Sequence, residues 1–417
     1  ILALESFRQA FSQPTRQGIF FDNASMGPVI PAVTQAMARC MELRQAMPMK
    51  YYRYAEELFP ACRGRIAALM GAQTSEIAFT ENVAYGINCA AGAIPFQPGD
   101  NVILCDREFA SNVYPWMLLE RTRGVRVRMV PSGLPENLTA SGLSGSSVIA
   151  GNPDAACGSG GLTLELLEQY ADERTRAVAV SSVEFSDGYA ADLEAIGRWC
   201  HERNIYFVVD GAQSLGVRPM DVKKYHIDFL AGLSSKWLLG PFSTGFLYVR
   251  KELISQLVPP FAGADSVRGD VDALDYALDF KEDASRFETG LPNAPGIAGL
   301  NASLAFMEEI GFEAIYKEAW KVSAALIRVL KELHFPLAPC ALSDACRSTI
   351  VSFQAGPHIP AGQTATEATQ KLYRYLREQN IACSFRCGYI RMGIHGYNSE
   401  EEVFKAAEIL KKYCPSV

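Results

Sequence analysis

Short apolar runs alternate with segments of helical period through the first three hundred residues, and few architectures accommodate that alternation. "EIAFT" (76–80), "NVILCD" (101–106), "RVRMVP" (126–131), "AVAVSSV" (177–183), "YFVVD" (206–210), "DFLAG" (228–232) and "GFLYV" (245–249) read as strands. Between them lie helical segments such as "NVAYGINCAAGAI" and "LEAIGRWCHERNI" (193–205). Strands that are apolar throughout must be covered on both faces, so the pattern predicts an α/β fold with a doubly wound, mainly parallel sheet. After "RFETGLPNAPGIAGL" (286–300) the pattern changes to longer amphipathic helices around a few short strands such as "STIVSFQ". The expected division is an N-terminal segment, 1–20, packed on a small domain, a large domain at 21–292 and a smaller α+β domain at 293–417. The glycine-rich "CGSGG" (157–161) opens no strand-turn-helix unit and reads as a loop.

Composition narrows the partners. The 417 residues are 49% hydrophobic and 20% charged, with a net charge of -7. An acidic surface does not attract phosphate backbones or anionic lipids, so nucleic acid and membrane are not expected partners, and a small molecule is. The eleven cysteines form no CxxC pair. Together with the absence of a signal-peptide pattern at the start and of an apolar run of about 18 residues, they suggest a reducing, cytoplasmic setting and no structural metal site.

One lysine stands out. In "SSKWLLGPFSTGFLYV" (234–249), Lys236 precedes Trp237, Leu238 and Leu239, and an apolar strand follows. Burial there lowers the pKa and frees the amine as a nucleophile. Alone, the stretch fits better a lysine that lays its stem on apolar surface and keeps its head in water. Asp210 weighs against that reading, because it closes "YFVVD" at the edge where ligands of parallel sheets collect. A lysine able to form an imine and an aspartate facing a pyridine nitrogen are two groups that pyridoxal phosphate requires.

"VVDGAQSLG" followed by "SSKWLLGPFSTGFLYV", with "FFDNASMGP" (20–28) and "RMGIHGYNSEEEV" (391–403), resembles the class V branch of fold-type I pyridoxal-phosphate enzymes over nearly the whole chain. That branch contains cysteine desulfurases, kynureninases, isopenicillin epimerase-like proteins and C-S lyases. The resemblance implies a large domain with a seven-stranded, mainly parallel sheet and a smaller C-terminal domain. It implies pyridoxal 5′-phosphate as cofactor, an α-amino acid as substrate, and Lys236 as the Schiff-base lysine. Asp210 then pairs with the pyridine nitrogen, Gln213 bonds near the ring oxygen, and Phe109 stacks on the ring. Asn82, Val83 and Ala84 are implied at the phosphate with Ser235, which stands where many relatives have histidine. Leu291, in "RFETGLPN", replaces the usual threonine of the segment that reaches the partner's phosphate in family homodimers. Arg391 is implied for the substrate carboxylate, with Asn23, Ser25 and Asn112 beside it.

The motifs do not choose the reaction. Desulfurases need a mobile nucleophilic cysteine, and "FRCGYIR" offers only Cys387, four residues before Arg391 in a tight turn. That spacing favours a lyase that expels sulfur or another β-substituent, with aminotransferase and epimerase as alternatives and desulfurase behind them. A binding protein that has lost turnover fits poorly with an intact Lys236, Asp210 and Arg391. Substrate selection is expected in the loops 47–59 and 261–276.

Overall fold

Among the residues described by the computed structural model, namely 2–11, 18–133, 160–269, 274, 276–356, 359 and 362–413, seven strands form one sheet. They are β2 (Ile77–Thr80), β3 (Asn101–Cys105), β4 (Arg126–Val130), β5 (Thr175–Ser181), β6 (Tyr206–Asp210), β7 (Phe229–Leu233) and β8 (Gly245–Val249), after a short β1 (Ile19–Phe20) outside this sheet. The spatial order is β2-β8-β7-β6-β5-β3-β4. All neighbours are parallel except β8, which runs against both β7 and β2. Each strand expected from the sequence is therefore present, and the antiparallel β8 is what makes the sheet mainly rather than wholly parallel.

Alternation along the strands divides the core into two layers. Ile103, Val178, Val180, Phe207, Val209, Leu230 and Phe246 face one helical layer. Val102, Leu104, Ala177, Ala179, Val208, Phe229 and Leu247 face the other, which includes helix Val83–Ala93. Burial on both faces explains why these strands read as unbroken apolar runs.

A second core gathers around a three-stranded antiparallel sheet, β11 (Ser384–Arg386), β12 (Tyr389–Gly393) and β9 (Ile350–Phe353). Helices Phe312–Glu332, Ala365–Glu378 and Glu400–Tyr413 cover it. β10 (Ile381–Ala382) pairs in parallel with β1, and Arg8 of helix Leu2–Phe11 meets Glu318 at 2.6 Å, so the N-terminal segment lies against this part. Helix Ala294–Ile310 packs instead on helices Pro31–Ala46 and Pro48–Leu69. Its Ala294, Ile297, Leu300 and Leu304 belong to the core of the large sheet. We propose Gly311, at φ +91°, as the boundary between the two parts instead of residue 293.

The stretch 47–59 is not a loop. Pro48 opens a helix that continues to Leu69, because its fixed φ suits a first helical position and Ala55, Leu58, Cys62 and Ile66 then recur on one buried face. In 261–276 the residues Ala264–Ser266 form a single 3₁₀ turn, and 270–273 with 275 lie outside the described residues. Residues 157–159 of the glycine-rich stretch also lie outside them. Gly160 donates its N–H to Asp187 Oδ2, and Gly161 exchanges backbone hydrogen bonds with Gly133 beyond β4.

Candidate active site

Strand direction brings the candidate residues to one edge. β2 and β7 run the same way because both oppose β8, and Thr80 and Leu233, their last residues, both pair with Gly245. The carboxyl ends of β2, β3, β5, β6 and β7 therefore share an edge. Chain order also reverses there, since β4 lies on one side of β3 while β5, β6 and β7 lie on the other, and ligands collect at such a switch point. Asn82, Glu108 and Phe109, Ser181, Asp210, and Ser234 to Lys236 follow or end these strands.

Lys236 is half-buried, and removal of water from around it pushes its pKa down to about 8. Asp210 acts in the opposite direction, while Arg391 and Arg386 add to the lowering. The Nζ lies 5.7 Å from the centre of the Phe109 ring. Asp210 is buried, and desolvation raises its pKa against the Ala212 N–H, which donates to Oδ1 at 2.8 Å, and against the charge of Lys236. Its other oxygen makes no hydrogen bond among the described residues.

Phe109 keeps an open face and meets Phe185 edge-on at 5.1 Å. Asn82 caps helix Val83–Ala93 by accepting the Tyr85 N–H at 2.9 Å. The amides of Val83 and Ala84 then remain as first-turn donors at the positive end of the helix dipole. Ser235 gives its carbonyl to the Gly27 N–H. Leu291 is exposed in a cleft of about 340 Å³ lined by Thr80, Glu81, Tyr85, Thr244 and Asn293.

Arg391 is buried on β12, and desolvation lowers its pKa to about 10. Its Nε donates to Ser384 Oγ at 3.0 Å, Nη1 to the Phe185 carbonyl at 2.6 Å, and Nη2 to Ser25 Oγ at 2.7 Å. Three of the five guanidinium protons are engaged, which leaves one on each terminal nitrogen for a carboxylate.

Other expected residues turn inward. Asn23 is buried, donates to the Gly393 carbonyl and accepts from Tyr397 at 2.6 Å, so it ties the N-terminal segment to β12. Gln213 donates to the Ala24 carbonyl and accepts the Trp237 indole N–H at 2.8 Å, holding the residue next to Lys236. Asn112 donates to Glu108 at 2.9 Å, and its buried Oδ1 has no partner among the described residues.

Glu108 and His395 carry no assigned role in the sequence reading. The Glu108 carboxylate accepts the Ser181 N–H at 2.7 Å and the Ser181 hydroxyl at 2.6 Å, yet burial raises its pKa to about 7. His395 Nδ1 accepts the Gly396 N–H, so Nε2 carries the proton donated to the Trp237 carbonyl at 3.0 Å. The available signal was position: Glu108 follows the apolar strand β3, much as Asp210 closes β6.

The donor set fits pyridoxal phosphate. A buried carboxylate with a spare acceptor suits a protonated ring nitrogen, a lysine of lowered pKa suits the carbonyl, Phe109 offers a ring face, and a helix start suits the phosphate.

Residues 19–144 and 156–405 match the profile of the family described as Aminotransferase class-V. A probable cysteine desulfurase of Methanothermobacter thermautotrophicus is 29% identical over 95% of each chain. Among solved structures, a C-DES mutant with glycine covalently linked to its PLP cofactor superposes with a TM-score of 0.82 at 22% identity, over 97% of this chain and 98% of the other. The complex of the cystine C-S lyase C-DES with its product cysteine persulfide gives 0.80 at 22% identity, over 95% and 98%.

Proposed function

Since this chain belongs to the class V aminotransferase family, we propose that it is a lyase that expels sulfur, or a related β-substituent, from an α-amino acid. It is a pyridoxal-phosphate-dependent enzyme. When bound, the cofactor supplies an electron sink for negative charge that develops at the substrate Cα.

Lys236 would hold the cofactor covalently at rest, with Asp210 at the ring nitrogen, Phe109 on one ring face, and Val83, Ala84 and Ser235 at the phosphate. Arg391 would take the α-carboxylate through its two remaining protons and so orient the Cα–H bond. The Lys236 amine would also serve as the base for the Cα proton, and a pKa near 8 makes it largely available at mildly alkaline pH. The same nitrogen can return that proton to the departing sulfur.

The observation that carries the lyase reading is the Cys387 turn. Cys387 at φ +48° and Gly388 at φ +81° form a two-residue turn, closed by the pairing of Arg386 with Tyr389. A thiol fixed at that corner is poorly placed to travel to a substrate sulfur. The names of similar proteins favour the second reading, a cysteine desulfurase with Cys387 as sulfur acceptor.

Assay of the purified holoenzyme on cysteine and cystine separates the two. The lyase reading expects pyruvate and ammonia together with the sulfur product, and turnover within about twofold of wild type in Cys387→Ser. Alanine as the sole carbon product, with activity abolished in Cys387→Ser, would establish the desulfurase instead. Amino-group exchange with keto acids would point to an aminotransferase, and Lys236→Ala is expected to lack the covalent cofactor band in every case.

A further inference from the structure

The β11–β12 hairpin carries a second cation on the face that bears Arg391. Ser384 pairs with Arg391, and Arg386 with Tyr389. Paired residues of an antiparallel ladder project from the same face, as do residues two apart along a strand. Ser384, Arg386, Tyr389 and Arg391 therefore share one face. The Ser384 hydroxyl bonded to Arg391 identifies it as the face of the proposed carboxylate site.

Arg386 differs from Arg391 in what holds it. Arg391 is buried with three hydrogen bonds. Arg386 is exposed, and among the described residues it makes no ion pair and a single hydrogen bond, from Nη1 to the Phe385 carbonyl at 3.3 Å. It is nonetheless near enough to lower the pKa of both Lys236 and Arg391. The tight turn fixes its backbone at the last pair of the ladder. Diagonal neighbours on one face of a ladder lie about 7–8 Å apart, so two guanidinium groups there can converge on one small molecule. The nearest acid toward Arg391, Asp22, stands 3.9 Å from Nη2 of that residue.

We infer that Arg386 is the specificity-determining residue for the substrate side chain, selecting α-amino acids whose side chain ends in a carboxylate or sulfinate over those with uncharged ends. A planar guanidinium with free protons pairs with either oxyanion through two hydrogen bonds. The inference rests on the proposed role of Arg391 at the α-carboxylate and deepens it, since one arginine would take each acidic end.

Two measurements on holoenzyme test it. In steady-state kinetics with cysteine sulfinate and cysteine, wild type is expected to favour the sulfinate, and Arg386→Gln to reduce the sulfinate-to-cysteine ratio of kcat/KM about 10- to 100-fold, as expected for loss of hydrogen bonds to a charged group. Arg386→Lys, which keeps the charge, should recover part of that ratio. An unchanged ratio in Arg386→Gln, or a wild type that favours cysteine, overturns the inference. In the second measurement, succinate and butyrate are titrated against the visible absorbance of the bound cofactor. Arg386→Gln should weaken succinate alone, and Arg391→Gln should weaken both. Equal weakening of both ligands in Arg386→Gln would assign Arg386 to the α-carboxylate and overturn the specificity role. If Arg391→Gln leaves butyrate binding intact, the α-carboxylate reading fails, and this inference fails with it.

Discussion

His395 has both ring nitrogens committed, one accepting from Gly396 and the other donating to Trp237, the residue after Lys236. A second proton on the ring would break the Gly396 contact, and burial lowers its pKa to about 4 against the opposing effect of the Trp237 hydrogen bond. Between that value and the ordinary 6.5, the unfolded chain binds a proton that the folded one refuses. The stability this residue contributes is therefore complete above about pH 6.5 and is lost as pH falls toward 4, on the order of 3 kcal/mol in total. Wild-type Tm is expected to drop over that interval, and the drop should be shallower in His395→Gln, which keeps a donor for the Trp237 carbonyl and cannot titrate. Parallel pH curves for the two proteins would remove His395 as the cause. The sequence contained the motif around this histidine but not its role, because the carbonyl it holds lies 158 residues earlier.

At the level of elements, turns and strand direction decide what the site can do. Gly188, at φ +85°, lies where the large sheet meets β9, and a Cβ there would stand 2.5 Å from the Ile350 carbonyl oxygen. Gly388 has nearly the same φ, +81°, with nothing closer than 3.7 Å. Both glycines meet the left-handed backbone cost, about 1–2 kcal/mol for another residue, but only Gly188 adds a collision. Chemical denaturation is expected to show Gly188→Ala losing clearly more stability than Gly388→Ala, and equal losses would mean that the contact relaxes freely. The strands themselves were legible as apolar runs. The antiparallel direction of β8 was not, because an unbroken apolar run satisfies either direction when both faces are buried. The stretch 47–59, which opens the helix Pro48–Leu69, was misread as a loop because its tyrosines and arginines obscured a narrow apolar stripe.

For the molecule as a whole, the exposed apolar residues concern its partner. Leu291, Tyr276 and Leu278 are exposed, and Phe261 stacks on Tyr85 at 5.8 Å beside the cleft that Leu291 lines. We expect a second copy to cover this surface, as the sequence reading anticipates for a homodimer. Sedimentation of wild type should give a dimer, and Leu291→Glu should shift it toward monomer while loosening the cofactor. A monomeric wild type that retains its cofactor would refute the shared site.

The α/β class, the order of the strands along the chain, and Lys236 and Asp210 as candidates were legible in the sequence itself, whereas Arg391 was implied by the family resemblance. The first three are matters of local pattern: apolar runs that must be buried, a cation among apolar neighbours, an acid at the end of a strand. Only the tertiary structure showed that Asn23 bonds Gly393 and Tyr397, that Gln213 bonds Ala24 and Trp237, that Glu108 bonds Ser181 and His395 bonds Trp237, and that Arg386 shares a face with Arg391. Those facts depend on contacts between residues far apart in the chain, and a hydrogen bond's partner is set by packing and register, which no local spacing encodes.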